Sequence, residues 1–139
     1  MFSAVPCSSC GFTLWHPLLT ADLLQVGLYD DRRYPGHLLA MPTEHYVHLE
    51  EVPAAEAARM LWSLQDLMGR LRAGLGAERV VFSAPEDEVP HLHFHLVPLP
   101  SVEEAPGELP PWALAGSPEE LWPEQLEATL QKLRLTFNC

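Results

Sequence analysis

The chain has 139 residues, 47% of them apolar, and carries 19 acidic against 8 basic side chains for a net charge of −11. That length suits one domain with its own core, and so acidic a balance excludes tracking along nucleic acids, which needs clusters of Lys and Arg. A small anionic ligand stays compatible where local donors outweigh the overall field. The sequence has no membrane-spanning run, and its start, Met1-Phe2-Ser3-Ala4-Val5-Pro6, lacks the basic and apolar regions of a signal peptide, so a cytoplasmic protein is expected.

The three cysteines, Cys7, Cys10 and Cys139, cannot make a disulfide framework. Cys7-Ser8-Ser9-Cys10 reads as a tight turn that could pinch a metal between two thiolates, and two further ligands would close a tetrahedral site. Cys139 reads as an incidental exposed thiol. Leu23 to Tyr29 is a predicted strand with Leu24, Val26 and Leu28 on one face. After the polar turn Asp30-Asp31-Arg32-Arg33-Tyr34-Pro35-Gly36, a second strand runs from His37 to Met41 and stops at Pro42, which makes a hairpin. His37 stands where it could project into a site.

Thr43 to Leu49 connects to a long helix predicted over Ala54–Leu75, with Ala57, Met60, Leu61, Leu64, Leu67, Met68, Leu71 and Leu75 forming one apolar stripe. Glu56, Arg59, Asp66, Arg70 and Arg72 lie largely off that stripe, and Gly74 and Gly76 supply its stop signal. A strand is predicted over Glu78 to Ser83, and the acidic loop Ala84 to Pro90 leads from it into the next one. Residues 101–112, rich in Pro and Glu, read as an extended surface excursion, with Trp112 and Trp122 as anchors that hold it down or cover a pocket. Ser117-Pro118-Glu119-Glu120 has the form of a capping box; the helix it opens would bend or restart at Pro123 and end near Leu135, with Leu126, Leu130 and Leu133 inward.

His91-Leu92-His93-Phe94-His95-Leu96-Val97-Pro98 carries the chemistry. On a β-strand its histidines would form a row about 6.6 Å apart, with the apolar residues facing the core. Imidazole titrates near neutrality, so three of them can share the roles of nucleophile, proton donor and hydrogen-bond donor to phosphate. A catalytic zinc held by strand histidines and a carboxylate fits the same spacing.

The run HLHFHLVP resembles the signature of the histidine triad (HIT) superfamily of nucleotide hydrolases and transferases, and Pro35-Gly36-His37 through Pro42 and His45 resembles that family's proline-glycine-histidine strand. The resemblance covers roughly residues 7–100, leaving 101–139 as a C-terminal extension with a helix in a single domain of residues 1–139. It implies an α+β fold: an antiparallel sheet of about five strands, the long helix packed on it, a C-terminal helix, and dimerisation with a second copy. It also implies a mechanism in which His93 attacks the α-phosphorus of a small nucleotide substrate, a dinucleoside polyphosphate or phosphoramidate, supported by His91, His95 and His37. By the same resemblance Asp30 falls near the ribose-contacting acid, and Cys7, Cys10, His45 and His91 match the ligands of a structural zinc.

The chain departs from the family pattern before the triad, where Glu86-Asp87-Glu88 replace neutral phosphate donors, and after it, where Leu99-Pro100 replace an arginine. Losing one such donor can raise a barrier by about 3 kcal/mol, so slow turnover is expected. A non-catalytic nucleotide-binding module and a zinc hydrolase stand as the alternatives.

Overall fold

The computed structural model describes residues 6–85, 89–99 and 119–139. The acidic stretch Glu86-Asp87-Glu88, the excursion after Pro100 with Trp112, and Ser117-Pro118 lie outside the described residues.

Five strands form one antiparallel sheet: β1 (His16–Ala21), β2 (Leu24–Leu28), β3 (Leu38–Pro42), β4 (Arg79–Ser83) and β5 (Phe94–Leu99), in the order β1-β2-β3-β5-β4. Helix α1 (Ala54–Leu75) separates β3 from β4, and α2 (Pro123–Phe137) closes the chain. This is the α+β architecture expected from the sequence. Leu24, Val26, Leu28, Leu38, Ala40 and Leu96 meet Met60, Leu64, Leu67 and Leu71 of α1 and Leu130, Leu133 and Phe137 of α2 in one core. Each fully buried aliphatic side chain there contributes about 1.5–3 kcal/mol. The opposite face of the sheet carries two small clusters, Leu14 with Leu39 and Met41, and Tyr34 with Val97 and Leu99. Among the described residues no helix is long and apolar enough to cross a membrane.

The Pro35-Gly36 turn sets His37 at the entry to β3. Gly36 has φ +88°, a conformation that favours glycine, and a Cβ there would also push aside the Leu75 methyl at the end of α1.

Three local features depart from the sequence pattern or go beyond it. The sequence gives no signal for β1, because HPLLTA neither alternates nor avoids proline; an edge strand tolerates Pro17, and the register with β2 slips between Pro17 and Leu19. The triad does not lie on one regular strand, since β5 begins only at Phe94. Its pairing with β3 runs from Leu38↔Leu96 to Ala40↔Phe94, and the same register would set Leu92 opposite Pro42, which has no N–H. The N–H of Leu92 bonds instead to the Tyr46 carbonyl at 2.6 Å. Finally, α2 begins at Pro123, with Glu119–Trp122 non-helical. There the backbone is claimed by the 30–32 turn: Leu121 N–H donates to Asp30 Oδ1 (2.6 Å) and Arg32 N–H to the Glu119 carbonyl (2.6 Å). Trp122 is 58% exposed, with the Arg32 guanidinium 5.3 Å from its ring, so it buries little.

Candidate active site and metal centre

The irregular entry into β5 sends the first two triad histidines to different places. His91 donates its Nε2–H to the Pro42 carbonyl at 3.0 Å, which fixes the neutral tautomer and leaves the Nδ1 lone pair facing Cys10 Sγ at 3.5 Å. Cys7 Sγ lies 3.4 Å from His45 Nδ1, and one ligand atom from each of Cys7, Cys10, His45 and His91 falls within 4.8 Å of every other. A tetrahedral zinc with bonds of about 2.0–2.3 Å has edges of about 3.5 Å. These four side chains therefore fit a tetrahedral ion, and the carbonyl behind His91 is the outer-shell partner a ligating imidazole uses.

The Cys7–Phe12 loop is closed by Cys7 N–H to the Phe12 carbonyl (2.9 Å) and Gly11 N–H to the Cys7 carbonyl (2.7 Å). Burial pushes the Cys7 thiol up, but the backbone N–H groups of Cys10 and Ser9, the Cys10 side chain and His45 outweigh it and bring the thiol down to about 6. Burial and the neighbouring Cys7 push Cys10 the other way.

His93 uses the opposite nitrogen. Its Nδ1–H donates to the His91 carbonyl at 2.8 Å, so the neutral ring carries its lone pair on Nε2. With His95 it lines a cleft of about 150 Å³, whose other walls include Phe12, Trp15, Tyr29, Leu39 and Val89. The His93 and His95 rings are 5.2 Å apart, edge to face.

His37, fully buried, meets His95 Nδ1 through its Nε2 at 2.7 Å, while its Nδ1 is buried without a partner among the described residues. An orphaned N–H costs more than an orphaned lone pair, so the proton belongs on His37 Nε2 and is donated to His95. His95 then keeps its own proton on Nε2. Burial first, then the neighbouring His95, hold the His37 imidazole down at about 3, so His37 is uncharged near neutrality. Tyr29 packs on both rings, 4.5 Å from His37 and 5.1 Å from His95, and itself stacks against Trp15.

His37, His93 and His95 thus converge, and His91 joins the cysteines. Asp30 does not line the cleft: Oδ2 accepts from His16 Nε2 at 3.1 Å and Oδ1 from Leu121 N–H, on the helix side of the sheet. Strand parity explains this, because Leu28 and Asp30 share the helix-facing side and Tyr29 the other. That parity could have revealed Tyr29 from the sequence. Phe12, which stacks on His91 at 5.6 Å and lies 5.9 Å from His93, was not legible, since its place depends on the path of a loop.

Residues 17–101 match the HIT domain family model. Comparison with curated proteins gave no match. Among solved structures the chain is similar to a histidine triad protein of Marinobacter aquaeolei, at 22% identity and TM-score 0.75 over 88% of each chain. It is also similar to a hypothetical histidine triad nucleotide-binding protein of Sulfolobus tokodaii (16% identity, TM-score 0.69, 88% of this chain and 83% of that one). A zinc-bound histidine triad family protein of Mycobacterium smegmatis aligns at 20% identity and TM-score 0.67, over 88% of this chain and 83% of that one.

Proposed function

Because the chain belongs to the HIT domain family, we propose that it is a nucleotide-binding hydrolase or transferase that cleaves the α-phosphate linkage of a nucleoside 5′-phosphate derivative. The observation that carries this reading is the tautomer of His93: a carbonyl holds its Nδ1–H, and its lone pair is on Nε2 in a ring that lines the cleft. His93 Nε2 attacks the α-phosphorus, a P–N bond forms, and the bond to the leaving group breaks with its electron pair departing on that group. Water or another acceptor then attacks the same phosphorus, the P–N bond breaks, and the imidazole is regenerated as the acceptor loses its proton. His95 Nε2–H donates to the phosphate oxygens, and His37 keeps His95 in the tautomer that can do so.

The group that fits Cys7, Cys10, His45 and His91 is a structural zinc, which would supply a fixed cross-link between the N-terminal loop and the triad segment. In this reading His93 and His95 are not ligands, which separates it from a zinc hydrolase. The partners are a small nucleotide and a second copy of the chain, with neither long nucleic acid nor membrane. Edge strand β4 supports the homodimer: among the described residues it is paired on one side only, and its Phe82 is 42% exposed.

Incubation with a nucleoside phosphoramidate or a dinucleoside polyphosphate is expected to release nucleoside monophosphate and to yield an acid-labile nucleotidyl-protein adduct. Tight nucleotide binding with no adduct and no turnover would instead identify a binding module, the reading favoured by Glu86-Asp87-Glu88. Light scattering tests the dimer.

A further inference from the structure

The peptide unit that joins His91 to Leu92 makes two contacts that bear on His93. Its carbonyl accepts His93 Nδ1–H at 2.8 Å, and its N–H donates to the Tyr46 carbonyl at 2.6 Å. A trans peptide is planar, with its N–H and C=O pointing in opposite directions. Whatever fixes the direction of the N–H therefore aims the carbonyl.

The regular ladder does not set this plane, since β5 starts at Phe94 and its pairing with β3 stops there. The Tyr46 carbonyl takes over that task, and the Tyr46 side chain holds the carbonyl in place. Residues 43–45 of the connection after β3 are exposed, whereas Tyr46 is half-buried and packs against the main core. Its hydroxyl lies 2.9 Å from Glu56 Oε2, in the first turn of α1, and 3.0 Å from Glu44 Oε2, so one proton is offered to two carboxylates. The helix thus fixes the phenol ring through Glu56, and the ring fixes the backbone that meets Leu92.

We propose that Tyr46 is a positioning residue for His93: anchored to α1 through Glu56, it docks the Leu92 N–H on its carbonyl and so turns the His91 carbonyl onto His93 Nδ1, leaving the lone pair on Nε2. The inference rests on the reading of His93 as the nucleophile and adds what orients that nucleophile. The effect is electronic as well as geometric. A peptide whose N–H is already engaged is a stronger acceptor at its C=O, so His93 Nδ1–H is drawn further toward oxygen and Nε2 gains basicity.

Nitrogen NMR of the His93 ring and hydrogen exchange at the Leu92 amide, both on the full chain as purified, read the two links directly. In the wild type the Nδ1–H tautomer of His93 should dominate and the Leu92 amide should exchange slowly. Tyr46→Phe keeps the ring and loses the anchor. It should speed Leu92 exchange and shift the His93 tautomer ratio toward Nε2–H, each by about fivefold, and lower kcat on a nucleoside phosphoramidate by about as much with KM unchanged. Glu56→Ala should do the same, whereas Glu56→Gln, whose amide oxygen still accepts from the phenol, should restore the wild-type ratio; this pair decides the matter if Tyr46→Phe does not fold. A merely structural Tyr46 would lower the melting temperature and leave the tautomer ratio of the folded protein as it was. The proposal is overturned by that result, by unchanged Leu92 exchange in Tyr46→Phe, or by a Glu56→Gln ratio equal to that of Glu56→Ala. Absence of turnover in the wild type would defeat the assigned reaction alone, since the tautomer ratio is measured without substrate.

Discussion

His91 and His93 are two residues apart and chemically the same, yet they serve opposite ends of the site. His91 gives its Nε2–H to the Pro42 carbonyl and turns Nδ1 toward sulfur; His93 gives its Nδ1–H to the His91 carbonyl and leaves Nε2 as the lone pair. Which nitrogen a backbone carbonyl captures is what divides the proposed metal ligand from the proposed nucleophile. The division is possible because both residues precede the regular ladder of β5, where strict alternation would have aimed them alike.

The widest separation of the two roles is expected from His93→Ala. Turnover of a nucleoside phosphoramidate should fall about 10⁴-fold or more, with metal content by mass spectrometry and melting temperature unchanged. Retained turnover would place the nucleophile elsewhere.

His37→Phe probes the support behind the nucleophile. Removing the donor to His95 Nδ1 should lower kcat by about 10²-fold and leave the bound metal in place. It should also change the response to pH. His37 is held at about 3 when folded, against about 6.5 for an unfolded histidine. Below about pH 6.5 the unfolded chain binds a proton that the native one refuses, so the stability this group confers is full above that pH and is lost as pH falls toward 3. Between pH 6 and 4 the wild type should therefore lose about 1 kcal/mol per pH unit more than His37→Phe, as read from urea unfolding at each pH.

On the metal side, Cys10→Ser or chelation should release the ion and lower the melting temperature by about 10 °C, while turnover drops by about 10-fold and survives. Complete loss of turnover on chelation would turn the assignment toward a catalytic metal. Smallest of all is Phe12→Leu, which removes the ring touching both histidines. It should change turnover by less than about 10-fold and metal content not at all; a large effect on both would mean the two regions act as one unit.

Much of the architecture follows from pattern. The helix read over Ala54–Leu75 is the one observed, because its stripe buries Met60, Leu64, Leu67 and Leu71 on one side; Leu61, read as part of that stripe, is 55% exposed. The alternation around Leu24, Val26 and Leu28 and the Pro-Gly turn specified the central hairpin. The candidate chemical residues, five histidines and two cysteines, were equally legible, since few contexts place so many imidazoles at such spacings.

Which of them work together was not. Pro42 ends the ladder early and supplies the carbonyl that reorients His91, the Cys7–Phe12 loop carries its thiols to that ring, and Asp30 is drawn to Leu121 on the far face rather than to the cleft. Periodicity reports which side of an element a residue occupies, and it does so because side-chain direction is a local property of the backbone. Tautomers, ligand sets and clefts depend on atoms brought together across long separations, as with Cys10 and His91 or Asp30 and Leu121, and only the packed chain decides those.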